Sequence, residues 1–453
     1  MPSETRLYAE LEAAIADISP RRVRGSISKA NSNSVEIVGL SGFAKIGDLV
    51  RFIRPTEEPD ADPLYGEIVG LDANSCVAMV YGDIEGVSAN RPVELAPPVE
   101  IRPSDAWLGR IMDGFGRPWS GQAPARGEQV VTLRGTPPSP VERRGLGARL
   151  STGVTALDTV LPICRGQRVG LFAGSGVGKS TLIATLANSL EADVAVIGLI
   201  GERGREVRDF AERVMGDGAS SRSVIIAATS DQPAPLRRRA AYLTMAVAEY
   251  FRDQGKGVLC VMDSVTRVAE AHREIALAAG ETPALRAYPP STGNMIARLA
   301  ERAGPGADGQ GDITAVLSVL VAGSDMDEPV ADMTRGILDG HIVLTREIAE
   351  RGRFPAIDLA KSVSRSLPDA ATSEENDLIG LARRVVSVYE DAKPMLQAGL
   401  YNSGSDPEID AAITLYPHVD AFLGSPAAGG VDASFDALRA ILGGGEDQPQ
   451  SEQ

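Results

Sequence analysis

The chain has 453 residues, 43% of them hydrophobic and 23% charged, a length that calls for two to four domains and a composition ordinary for a water-soluble globular protein. Its formal net charge of −16 argues against a surface built to neutralise nucleic-acid phosphates. The three cysteines and three histidines are scattered, with no disulfide framework and no zinc-ligand spacing, and no apolar run approaches the ~20 residues of a membrane span. The start, MPSETRLYAELEAAI, lacks the apolar core of a secretory signal. A cytoplasmic protein is expected, with any membrane contact peripheral.

Taken in chain order, Leu7, Leu11, Ala14, Ile15 and Ile18 recur at helical spacing until Pro20, predicting a short amphipathic helix over residues 1–20. From 21 to 98 short β-rich runs (VRGSIS, SVEIVG, DLVRFI, GEIVGL, CVAMVY) alternate with Gly, Asn and Asp turns, the pattern of a small β-barrel. Residues 99–365 begin with a Pro-rich passage and a glycine-dense one, AWLGRIMDGFGRPW. The apolar runs RVGLFA, VAVIGLI, SVIIAA, VLCVMD, TAVLSVL and HIVL then alternate with helical stretches such as Pro235 to Phe251. Continuous apolar strands of this kind are buried on both faces of a parallel sheet, so the fold class is α/β. Residues 366–424 read as a helical domain. Residues 425–453, rich in Gly, Pro and polar residues around one short helical run, read as a flexible tail.

One loop carries the strongest chemistry. Ala173, Gly174, Ser175, Gly176, Val177, Gly178, Lys179 and Ser180 follow a strand and open a helix with Thr181. Apart from alanine in place of the first glycine, this is the phosphate-binding pattern G-x-x-x-x-G-K-[ST]. Its glycines let backbone N–H groups face an anion and the helix N-terminus adds its dipole. Lys179 would reach the β and γ phosphates of ATP, and the Ser180 hydroxyl would bind Mg²⁺. Asp263 ends the strand VLCVMD and reads as the second Mg²⁺-holding carboxylate. Glu202 follows the strand VIGLI at the carboxyl edge of the sheet, where it could orient a water for attack on the γ phosphate. Arg203 beside it could steady phosphate charge, although Glu-Arg pairs are commonly surface ions.

These stretches, with YPPS, ILDGHIVLTREIAERGRFPAIDLAKSVSR and GSDPEIDAAITLYPHVDAFL, resemble the rotary-type ATPases related to the α and β subunits of F-type ATP synthase. Within that group the chain is most similar to the type III protein-export ATPases, above all the flagellar ones. The resemblance runs from about 105 to 423 and is weaker in the barrel. It implies a P-loop NTPase (RecA-like) core, an N-terminal barrel and a C-terminal helical domain, assembled as a homohexamer with nucleotide sites between subunits. It makes Glu202 the catalytic carboxylate. It implies that Arg365, closing the signature PAIDLAKSVSR, reaches the neighbouring subunit's site as an arginine finger. Phe354 aligns with the aromatic, more often tyrosine, on which adenine stacks. The implied partners are a stator-like regulatory protein at the N-terminal helix, export-gate membrane proteins, chaperones and export substrates.

The chain departs from the family after YPPS, in TGNMIARLAERAG, and at His272 in EAHREIA, where glutamine is usual. Both departures fall near the expected ring interior. The alternatives are an injectisome ATPase of the virulence type and a subunit of a rotary synthase. An RNA-translocating hexamer resembling the terminator Rho is disfavoured by the acids Glu57, Glu58, Asp60, Asp62, Glu67, Asp72, Asp83 and Glu85 in the barrel region.

Overall fold

The computed structural model of the chain describes residues 22–53, 63–216, 222–284, 287–321 and 326–443. The expected docking helix, residues 1–20, lies outside them. The described chain forms two compact units, one holding the N-terminal barrel and the other nearly all of the rest.

The barrel is closed and antiparallel. Its strands are β1 (Arg24–Ala30), β2 (Ser34–Val38), β3 (Leu49–Phe52), β4 (Leu64–Leu71), β5 (Ser75–Val80) and β6 (Pro92–Ala96), in the order β1-β2-β5-β4-β3-β6. Alternate side chains, among them Ile27, Val35, Ile37, Val50, Phe52, Ile68 and Val93, fill its interior. Five of the strands are those expected. The sixth, β6, was not foreseen, because Pro92-Val-Glu-Leu-Ala carries a proline and a glutamate. It pairs with both β1 and β3, and it is the strand that closes the barrel. Its Glu94 accepts hydrogen bonds from Arg24 and Arg51, which accounts for a mostly buried acid there.

The larger unit is built on a nine-stranded sheet. Its strands are β7 (Ile111–Met112), β8 (Arg168–Ala173), β9 (Val194–Glu202), β10 (Ser223–Thr229), β11 (Val258–Asp263), β12 (Gly304–Pro305), β13 (Asp312–Leu320), β14 (Gly340–Leu344) and β15 (Val363–Ser364). The order is β15-β14-β8-β13-β11-β9-β10-β7, with β12 on β13. Every pairing is parallel except those of β12 and β15. The strands are largely apolar in their interiors because both faces are covered. Ile197 and Leu199 point into one core and Val196 and Ile200 into the other, as the two-residue period requires. Helices Lys179–Ser189 and Gly204–Met215 cover the first face, and Ala234–Asp253 and Val265–Ala278 the second.

Helices Ser373–Gln397 and Pro407–Leu423 form the expected helical region, the first opened by a capping box between Thr372 and Glu375. The expectation of a flexible tail from 425 is corrected as far as Gly443. Residues Gly430–Gly443 form a helix whose Phe435, Leu438 and Leu442 are buried in the first core. Those residues sit at i, i+3 and i+7, so the apolar stripe needs a partner, and the long helix Ser373–Gln397 supplies it. The short helical run is legible in the sequence, but its flanking glycines make it read as part of a loose tail.

Candidate nucleotide site

The phosphate loop leaves β8 at Ala173 and enters the helix at Lys179. Gly176 and Gly178 adopt left-handed φ of 78° and 87°, so the turn needs glycine at both. A Cβ at Gly178 would also stand 3.1 Å from the ring of Phe354. Ser175, Gly176, Ser180 and Thr181 are exposed, whereas Val177 is buried and anchors the loop.

Three charged side chains converge at the carboxyl edge of the sheet. Asp263, at the end of β11, is 2% exposed. Its Oδ1 accepts from the Lys179 ammonium and, at 2.6 Å, from the Ser318 hydroxyl. Ser318 belongs to β13, which lies between β8 and β11, so the sheet order itself brings the hydroxyl there. Glu202, at the end of β9 one strand further on, has Oε1 3.7 Å from the Lys179 ammonium. Burial pushes the Glu202 carboxyl up to about 7. Its hydrogen bond to Glu206 and the charge of Asp263 add to the rise, and Lys179 opposes it. Glu206, accepting that bond and facing Arg203, is held below the usual carboxylate range. A carboxyl balanced near neutral pH is suited to taking a proton from water.

Beside the loop opens a cleft of ≈ 470 Å³, bordered by Gly174, Ser175, Arg267, Glu270, Tyr288 and Glu328 among others. Arg267 packs over Gly201 and pairs with Glu270 at 2.8 Å. Neither Arg267 nor Glu206 was singled out from the sequence. The signal was available: each lies four residues after an expected site carboxylate, at the start of the helix that follows the strand. His272 and Ser291, which flank the two departures from the family pattern, meet through a 2.9 Å hydrogen bond.

Not every expected residue joins this cluster. Arg203 points outward, with its side chain 82% exposed, and pairs with Glu206 at 3.3 Å. Phe354 does join it: its half-exposed ring lies against Gly178 of the loop. Arg365 does not. From Phe354 the chain runs back antiparallel along β14. Ile357 bridges Leu344, Asp358 donates to the Val343 carbonyl, and Val363 and Ser364 pair with His341 and Gly340. Leu344 is level with Ala173 at the phosphate-loop end of β8, so Arg365 emerges at the amino edge. The length of β14, about 13 Å at 3.3 Å per residue, separates the two ends. The Arg365 side chain is exposed and pairs with no acid among the described residues.

A strand, a glycine-rich turn and a helix, with a lysine facing two strand-end carboxylates, define a P-loop nucleotide-binding fold. Residues 153–364 match the ATP synthase alpha/beta family, nucleotide-binding domain; 22–95 match its beta-barrel domain; and 371–439 match the T3SS EscN ATPase C-terminal domain. The chain is 45% identical over 442 residues to a flagellum-specific ATP synthase of Caulobacter vibrioides, covering 95% of this chain and 98% of that one. It is 41% identical to the protein of the same name from Salmonella typhimurium (91% of each) and 38% identical to a type 3 secretion system ATPase of Xanthomonas euvesicatoria (94% of this chain and 95% of that one). The structure of the assembled ATPase EscN from enteropathogenic E. coli superposes with a TM-score of 0.85 at 36% identity, over 92% of this chain and all of that one. The chain therefore belongs to the ATP synthase alpha/beta family, in its branch of flagellum-specific and type III secretion ATPases. Among the described residues no helix is long and apolar enough to cross a membrane.

Proposed function

We propose that the chain hydrolyses ATP within a homohexameric ring and that this turnover serves protein export through a flagellar type III apparatus. The observation that carries the catalytic half is the split between the two edges of the sheet. Lys179, Glu202 and Asp263 gather at the carboxyl edge, while Arg365, which the reaction would use, stands exposed at the amino edge. One subunit then offers a complete pocket without its finger, and a finger without its pocket, which a ring of identical copies satisfies.

In this reading the loop N–H groups and Lys179 hold the β and γ phosphates, and Phe354 stacks on adenine. Glu202 accepts the proton of the attacking water, and the neighbour's Arg365 steadies charge on the transferring phosphoryl group. Arg203, turned outward, fits a supporting part through Glu206. The Ser180 hydroxyl and the Asp263 carboxylate are the oxygen donors a hard cation takes, and Mg²⁺ would be held there. When bound it neutralises charge on the β and γ phosphates. A stator-like regulator, export-gate membrane proteins, chaperones and substrates are the proposed partners, with peripheral attachment at the inner face of the membrane. The solved EscN complex with its central stalk EscO supports a regulator of this kind. An injectisome is the second reading, supported by the match to a T3SS C-terminal domain.

The test is Glu202→Gln, which preserves shape and removes the base. ATP binding should persist while kcat falls by about 10²–10⁴-fold. Turnover surviving within about tenfold, a barrier change of only ~1.4 kcal/mol, would remove Glu202 from the proton-accepting role.

A further inference from the structure

We infer that Asp339, through a fork to Arg168, is the positioning residue that sets the direction of Arg365. This rests on the proposal that Arg365 acts on a neighbouring subunit.

The anchor is built from both sides of Asp339. Its carboxylate takes a bidentate pair from Arg168, with Nε on Oδ2 at 3.0 Å and Nη2 on Oδ1 at 3.1 Å. Oδ2 also accepts the Arg168 backbone N–H at 3.0 Å, and the Asp339 backbone N–H donates to the Arg168 carbonyl at 2.8 Å. Arg168 is itself mostly buried, and its remaining guanidinium nitrogen lies 2.7 Å from a Glu301 oxygen. One guanidinium edge is thus taken by Asp339 in a planar fork that lysine could not reproduce, and Glu301 supplies a nearby charge on the other side.

The backbone carbonyl of Asp339 faces the other way. It accepts the N–H of Arg365 at 3.0 Å and the Gln167 side-chain amide at 3.1 Å. Gln167 also reaches the hydroxyl of Ser364, which donates to the Pro162 carbonyl at 2.7 Å. At Gly340 a Cβ would meet the Val363 carbonyl at 2.7 Å, so the segment carrying Arg365 runs against bare backbone. The residue immediately before Arg365 is therefore fixed by side chains, Arg365 itself by the Asp339 carbonyl, and the guanidinium alone is left exposed. A long side chain that must meet a transferring phosphoryl group in another subunit needs a root that does not move, because errors of about 1 Å cost as much as 10²-fold in rate. The fork is placed at that root. It lies at the opposite edge of the sheet from the phosphate loop, so it leaves the subunit's own pocket alone.

The experiment uses the full chain with Asp339→Asn, which keeps the backbone carbonyl and side-chain shape but weakens the fork. The expected result is a fall in kcat of about 10- to 100-fold with KM for ATP unchanged. In rings mixed with Glu202→Gln subunits, the intact pocket of the Asp339→Asn subunit meets an intact neighbouring Arg365, so activity should exceed that of either protein alone. Asp339→Asn added to Arg365→Ala should lower kcat no further than Arg365→Ala does. A wild-type kcat in Asp339→Asn, or a raised KM, overturns the inference. If Arg365→Ala recovers in mixed rings and Asp339→Asn does not, positioning fails while action on the neighbour stands. If neither recovers, action on the neighbour fails too, and the inference with it. Should Asp339→Asn not fold, Arg168→Lys, which keeps the charge without the fork, is held to the same outcomes.

Discussion

At the carboxyl edge of the sheet, charges are crowded and only partly satisfied: one ammonium faces two carboxylates, and burial holds Glu202 near neutrality. At the amino edge Arg168 is paired with Asp339 and lies near Glu301, whereas the guanidinium of Arg365 makes no ion pair among the described residues. Twelve residues, Phe354 to Arg365, mostly irregular but ending in β15, join the two along β14. The contrast teaches that the pocket's chemistry comes from unsatisfied groups, whereas the proposed finger, Arg365, would act from a rigid root under an exposed tip. A buried charge cluster shifts protonation. A well-paired one mostly fixes geometry.

The comparison breaks most visibly at the amino edge. Arg365→Ala should lower kcat by about 10³–10⁵-fold while leaving ATP binding close to normal, as measured by steady-state turnover and equilibrium nucleotide binding. In rings mixed with Glu202→Gln subunits the activity should recover. Activity that only tracks dilution by inactive enzyme would assign Arg365 to its own subunit, against its distance from the loop.

Phe354 belongs to the other edge, so its loss should do the reverse. Phe354→Ala should raise KM for ATP roughly tenfold, the scale of one base–aromatic stack, with kcat largely kept. Phe354→Tyr should be nearly silent, since the ring face does the stacking. A kcat defect that recovers in mixed rings would instead place Phe354 with the finger.

The smallest effect is a shift of pH dependence. Burial pushes the Glu202 carboxyl up to about 7, and as the proposed base it would act as a carboxylate, so kcat/KM should rise with pH through about 7 and level off above it. Glu206 favours the protonated form of Glu202. Glu206→Gln should therefore move this limb to lower pH. Arg365→Ala, which on the proposed action in trans removes a cation from the neighbour's pocket, should move the limb, if at all, the opposite way, to higher pH. A limb that does not respond to Glu206→Gln would identify another group as the one titrating.

Much of this was legible before folding. The strand RVGLFA, its glycine turn and Lys179-Ser180 announce a phosphate loop, because only glycines adopt the left-handed turn cheaply and only a strand and helix present it to a ligand. The strand ends at Asp263 and Glu202 were legible for the same reason: apolar runs end where the sheet meets solvent. Less was legible where local pattern conflicts with tertiary need. The strand β6 closes the barrel in spite of Pro92 and Glu94, because two neighbouring edges need its backbone and two arginines neutralise its acid. The helical run within Gly430–Gly443 was legible, but its docking was not, because the stripe is buried only once the helices Ser373–Gln397 and Pro407–Leu423, outside its own stretch of sequence, pack against it. Arg203 shows the converse. Adjacent to Glu202 in sequence, it faces outward, because neighbouring residues at a strand end diverge.

By itself the sequence determined the reaction class, the phosphate-binding loop, the carboxylates and the α/β alternation, since each depends on local backbone geometry or on a strand's own period. It also carried the resemblance that made Arg365 a candidate. Only the tertiary structure decided which groups meet. Strand order sets Ser318 beside Asp263, as a second donor to the oxygen that Lys179 also reaches, and the antiparallel return along β14 puts Phe354 and Arg365 at opposite edges. Those facts follow from long-range pairing, which no window of neighbouring residues encodes.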